Sequence, residues 1–195
     1  LVFLYLYYAE NTGSVNLTQI AKALSLSKAT CTRAINDLSA SGLISQTAEG
    51  TNKWITTAYT KSELLEKAYG RLKTPVDRIL YVKGTAQIEH PIASGIRALA
   101  RQSMIGVNDQ DGAIAISKKE AAKIPAEDIC TKQYFEDFGG AVIEVWSYDP
   151  IILERGGCVD DISLLLSMDN DPNERVQTCL DEIRQKHGLP IKEEE

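Results

Sequence analysis

Apolar and polar positions divide the chain into a helical first stretch with one hairpin and a later stretch where strand-like and helix-like runs alternate. Residues 1–10 are apolar on nearly every face, which fits a helix that is buried or packs on a second subunit. Asn11-Thr12-Gly13-Ser14 ends it. Leu17, Ile20, Ala21 and Leu24 then recur at helical spacing, so a short helix is expected over 17–24 with Asn16 as its cap. Ser25-Leu26 is a tight connection, Ser27 is placed to cap a helix over 28–41, and Gly42 stops it. Two β-prone runs, 43–47 and 53–57, flank Ala48-Glu49-Gly50-Thr51-Asn52 and predict a hairpin with glycine in its turn, followed by a short helix over 61–73.

From Pro75 onward the pattern predicts strands over 78–83, 113–116 and 141–146, and helices over 91–104, 160–168 and from Asp171-Pro172 to His187. Ser117 with Glu120 forms a capping box that starts a helix over 118–123. The expected fold class is α+β: helix, helix, short turn, helix and hairpin give an N-terminal winged helix-turn-helix, followed by a small mixed α/β C-terminal domain. The predicted division is 1–73 and 75–195, with Thr74-Pro75 as the break because proline disfavours helix in the residue before it.

Charge sharpens this division. The chain of 195 residues carries a net charge of −6, which by itself speaks against a polyanionic partner. Yet residues 1–73 hold eight Lys or Arg against five Asp or Glu, a balance of +3, whereas 74–195 hold thirteen against twenty-two, a balance of −9. Two modules with different partners are implied. Four cysteines without a CxxC pair, and two distant histidines, make a zinc site improbable and suit reduced thiols in a cytoplasmic protein. No apolar run approaches the ~20 residues that span a bilayer, and LVFLYLYY lacks the flanks of a secretory signal, so no membrane partner is expected. A chain opening on Leu1 is expected to continue upstream.

At about 100° per residue, Cys31, Ala34, Ile35 and Leu38 share one arc of the 28–41 helix, and Lys28, Ala29, Thr32, Arg33 and Asn36 share another. The second arc holds two cations, a hydroxyl, an amide and a methyl, the groups that bind phosphates and read base edges in a major groove. In a winged helix this helix enters the groove and the hairpin over 43–57 contacts the neighbouring backbone, with Asn52 and Lys53 near its tip.

The run LTQIAKALSLSKATCTRAINDLSASGLI, residues 17–44, resembles the DNA-binding core of MarR-type winged-helix regulators, most closely in Ser-Lys-Ala-Thr-Cys-Thr-Arg and Leu-Ser-Ala-Ser-Gly-Leu-Ile. The resemblance implies DNA contacts by Ser27, Lys28, Thr30, Thr32 and Arg33. The wing carries Asn52-Lys53 where that family commonly has Asp-x-Arg, and residues 61–73 are short for its dimerisation helix.

The second module offers little chemistry. It has no GxxxxGK[ST], GxGxxG, HExxH or GxSxG run, so no enzymatic activity, catalytic residue or cofactor is expected. Asp160-Asp161 with Asp169-Asn170-Asp171 lacks the spacing of a calcium loop and reads as helix caps, so no metal is expected. His90 and His187 show no acid-base partner, and strand alternation turns Glu144 away from Val145 toward an expected surface position. Trp146, Tyr148, Tyr134 and Tyr81 suggest one aromatic cluster in the core or lining a small pocket. The stretch from Tyr81-Val-Lys-Gly84 through His90-Pro-Ile-Ala-Ser-Gly-Ile-Arg-Ala-Leu99, following a winged helix, is similar in layout to AbiEi-type antitoxins. That likeness implies binding of a promoter through the N-terminal module. The expected function is a bacterial, homodimeric transcriptional regulator on double-stranded DNA, with dimerisation, a small-molecule effector or a protein partner assigned to 75–195. The alternative is an antitoxin-like or adaptor module whose winged helix does not bind DNA specifically.

Overall fold

The computed structural model describes residues 1–9, 15–49, 52–84, 87–106 and 112–192. The chain divides into two compact units, residues 1–72 with 185–195, and residues 73–184. The tail over 185–195 thus joins the first unit, where the sequence placed it in the second. Two hydrogen bonds hold it there: the Tyr7 hydroxyl and His187 Nδ1 share one of 2.7 Å, and Ser62 Oγ donates to the Gly188 carbonyl. His187 therefore has the partner that sequence reading did not find.

In the first unit, α1 (Val2–Tyr8) buries Val2, Phe3, Leu4, Leu6 and Tyr7 within its own chain, so this helix is largely spent on the core. The two-residue strand β1 (Val15–Asn16) leads into α2 (Leu17–Ala23), whose Asn16 cap is completed by Gln19 in a reciprocal capping box. Ser25 takes a left-handed φ of 51° in the connection to α3 (Lys28–Ala40). Ser27 caps α3 through the Thr30 amide. Gly42, at φ 71°, lets the Leu43 amide reach back to the Leu38 carbonyl at 3.1 Å and close the C-terminus. Strands β2 (Ser45–Glu49) and β3 (Asn52–Thr56) form the hairpin, and β1 pairs with β3 to give an antiparallel sheet in the order β1-β3-β2. The α4 helix (Lys61–Tyr69) starts on a Thr60–Glu63 capping box. Ile20, Leu24, Ile55 and Leu65 are buried with Cys31 and Ile35 of α3, while Ala34 and Leu38 of the same predicted arc are half-buried.

The second unit is a mixed five-stranded sheet. Its strands are β4 (Val76–Val82), β5 (Ile92–Ala93), β6 (Ala113–Ser117), β7 (Ile129–Cys130) and β8 (Ala141–Trp146). They lie in the order β5-β6-β8-β4-β7, with β6 and β8 parallel and the other pairs antiparallel. One face packs Val82, Ile114, Ile116, Ile143 and Val145 into a single core. The helices are α5 (Gly95–Gln102), α6 (Lys118–Ala121), α7 (Lys132–Phe138), α8 (Asp161–Met168) and α9 (Glu174–Lys186).

Three elements depart from the periodicity. The helix expected over 91–104 begins only at Gly95, because Ile92 and Ala93 pair with Ala115 and Ile114, the Ser94 amide donates to the Ala113 carbonyl, and Gly95 adopts φ 53°. Strand β7 and helix α7 had no sequence signal. The strand is two residues long, and α7 buries no side chain fully, so neither imprints a period on its residues.

Candidate nucleic-acid interface

Helix α3 is held by its apolar arc and shows the other. Cys31 and Ile35 are fully buried, while Ser27, Lys28, Ala29, Thr30, Arg33 and Asn36 are exposed and Thr32 is half-buried. The exposed groups are not equally free. Ser27 Oγ accepts from the Thr30 amide at 3.0 Å and shares a 2.8 Å hydrogen bond with the Thr30 hydroxyl. Thr32 Oγ1 donates to the Lys28 carbonyl at 2.8 Å, which occupies its proton. Among the described residues, neither Lys28 nor Arg33 makes an ion pair, so both cations are available on the surface of α3.

Asn36 has a partner that sequence reading missed. Its Oδ1 accepts from Gln46 Nε2 of β2 at 3.2 Å. This bond ties the exposed arc of α3 to the hairpin and orients the amide, leaving the Asn36 nitrogen and the second lone pair of its oxygen open. Gln46 lies ten residues away, so only the fold brings the pair together. The backbone of Asn52 and Lys53 lies in β3, but their side chains, with the Gly50-Thr51 turn, lie outside the described residues.

Cys31 lies beneath this face, and burial pushes its thiol above the ordinary range. It stays protonated and unreactive as a piece of core.

The second unit places its polar groups inside. Glu144, expected on the surface, is only 8% exposed. Its Oε2 accepts from the Ser94 hydroxyl at 2.5 Å and from Trp146 Nε1 at 3.0 Å. Strand alternation does put Glu144 opposite Val145, but both faces of β8 are covered, so alternation separates two interiors. Tyr148 and Ser163 share a 2.6 Å hydrogen bond, and Asp160 caps α8 through the Ser163 amide. Burial, reinforced by the charge of Asp160, raises the Tyr148 phenol well above its usual value against the Ser163 bond, so it stays neutral. Arg184 is buried and held by Asp181 and Asp169 at 2.5 and 2.7 Å. Burial pulls its guanidinium down, and those two hydrogen bonds outweigh it and keep it raised. Asp169 and Asp160 are thus structural, and no group of His, Cys, Asp or Glu among the described residues forms a metal site.

The expected aromatic cluster is three separate ring pairs. Trp146 meets Tyr148 edge-on at 5.4 Å, whereas Tyr81 packs on Phe135 and Tyr134 on Phe138. A cleft of about 250 Å³ lies elsewhere, between Ile88, Ile116 and Ile124, with Glu89 and Lys123 paired across 3.2 Å at its edge. Among the described residues, no helix is long and apolar enough to cross a membrane.

The MarR family model matches residues 2–53, which run from α1 into the wing hairpin. The N-terminal part is accordingly a winged helix of MarR type, the kind found in transcriptional regulators, and the remainder is an α/β part outside that match. No curated protein and no solved structure matches the chain.

Proposed function

We propose that the protein is a DNA-binding transcriptional regulator in which α3 enters the major groove and the β2–β3 hairpin serves as the wing. The observation that carries this reading is the exposed arc of α3. Lys28, Ala29, Arg33 and Asn36 are exposed and Thr32 is half-buried, while Cys31 and Ile35 anchor the helix.

The side chains divide the work by their chemistry. Lys28 neutralises a phosphate, and Ser27 and Thr30 offer hydroxyl contacts to the backbone at the helix N-terminus. Arg33 donates to guanine, Asn36 pairs with a base edge in the orientation set by Gln46, and the methyl groups of Ala29 and Thr32 suit thymine. Asn52 and Lys53 take the wing contacts. In this reading the chain is bacterial, cytoplasmic and non-enzymatic, and binds as a homodimer, because one small winged helix makes few base contacts and a pair spans two half-sites. The free state of Cys31, Cys130, Cys158 and Cys179 agrees with that location. Residues 75–195 supply dimerisation or bind a protein partner or effector, the cleft beside Ile88 and Lys123 being the candidate effector site.

Selection from a random DNA pool by the full chain at two salt concentrations tests the reading. The expected result is an enriched motif with two-fold symmetry and half-sites about one helical turn apart. Weak, salt-sensitive binding without enrichment, together with a stoichiometric co-purifying protein, would instead establish the antitoxin-like or adaptor reading, which the modest +3 balance of residues 1–73 favours.

A further inference from the structure

Register decides which side chain of the hairpin meets α3. Gln46 of β2 stands opposite Ile55 of β3, and directly opposed residues of an antiparallel pair share a face of the sheet. Ile55 is buried, so Gln46 is turned toward the core side, while its neighbours Ser45 and Thr47 are exposed. Leu17 of α2 and Thr32 and Ile35 of α3 border the same small recess as Gln46 and Ile55, which holds the half-buried Gln46 by its stem. From there Nε2 donates to Asn36 Oδ1 at 3.2 Å. Among the described residues, no other side-chain hydrogen bond joins α3 to the hairpin.

We infer that Gln46 is a positioning residue that makes Asn36 a reader of adenine by fixing which end of its amide is oxygen. A terminal amide is nearly two-fold in shape, and half a turn about its last bond exchanges oxygen for nitrogen at little steric cost. An unheld Asn36 would present either end to a base. Gln46, by donating, makes the oxygen the end that faces the hairpin, and takes one of its lone pairs. One lone pair and two N–H donors remain, in a fixed order. Adenine requires that set in a major groove, an acceptor for its N6–H and a donor to its N7. Guanine offers two acceptors there and would leave the Asn36 oxygen facing one of them. The inference rests on the proposed entry of α3 into the major groove. It adds that the wing strand β2 governs base choice through α3.

Random-pool selection by the full chain carrying Gln46→Leu or Gln46→Glu, beside the wild type, tests it, with thermal melting confirming that each variant is folded. Leucine keeps the packed stem and removes the donor. The preference for adenine at one position of each half-site should fall by roughly fivefold or more, with the other positions unchanged. Glutamate can only accept, so it draws the Asn36 nitrogen toward the hairpin and reverses the order of the amide. Adenine should then be selected still less than by Gln46→Leu, whatever the added charge does to binding of all sequences. In an Asn36→Ala chain, which has already lost that preference, Gln46→Leu should change the motif no further. A merely structural Gln46 would not rank the variants in this way. An adenine preference unchanged in Gln46→Leu, a Gln46→Glu chain that selects adenine as the wild type does, or an effect of Gln46→Leu that persists beside Asn36→Ala would overturn the proposal. The two readings fail distinguishably: a wild type that enriches no motif removes the regulator and this role together, whereas a two-fold motif indifferent to Gln46 removes this role alone.

Discussion

The two units deploy polar side chains in opposite ways. In the first, the core of Ile20, Leu24, Cys31, Ile35 and Leu65 is apolar and the polar chemistry of α3 faces outward. In the second, Glu144, Ser94, Ser163, Asp160 and Arg184 are buried, while Phe138 is left outside. The contrast teaches that periodicity reports which side of an element is apolar, and equals function only where the polar side is also the wet one. The exposed arc of α3 is available to a ligand. The buried groups of the second unit are occupied by one another and serve the fold.

The contrast can be broken first where polar groups are buried. Glu144→Ala removes the acceptor for the Ser94 hydroxyl and the Trp146 indole and leaves a void between covered faces. A loss of about 2–4 kcal/mol in urea unfolding is expected, with Glu144→Gln, which keeps the shape and one acceptor, losing clearly less. A loss under about 0.5 kcal/mol would return Glu144 to the solvated surface that the alternation pattern suggested. In the first unit, Ser27→Ala deletes the cap of α3, which should cost about 1 kcal/mol of stability. Lys28→Ala should leave stability nearly unchanged, weaken binding to all DNA sequences alike and reduce the salt slope by about one phosphate. An effect of Lys28→Ala confined to one sequence would make it a base reader. The smallest effect is kinetic. Cys31 is buried with its thiol raised, so at neutral pH it should react with a thiol reagent only as the unit opens, well after the half-exposed Cys130. Equal rates would show that the core beneath α3 is open.

How much of this was legible follows from the same contrast. Asn16, Ser27, Ser117 and Asp160 were readable as caps because a cap is a local signal, a short polar side chain just before a helical run. The two arcs of α3 were readable because one faces its own core and the other faces outward. Gln46 on Asn36 was not, since the two lie on different elements and meet only through hairpin register. His187 with Tyr7 was hidden by a separation of 180 residues. Glu144 misled because alternation cannot tell a covered second face from a wet one. Helix α7 was invisible because a helix that buries little has little period to show.

In the proposed function the exposed arc of α3 reads bases, and Arg33 is its sharpest point. The most direct measurement repeats the random-pool selection with Arg33→Ala beside the wild type. The account predicts a motif that loses its preference for guanine at one position in each half-site, retains the others and binds about 1–3 kcal/mol more weakly. The same motif with unchanged affinity would show that α3 does not read DNA through this face.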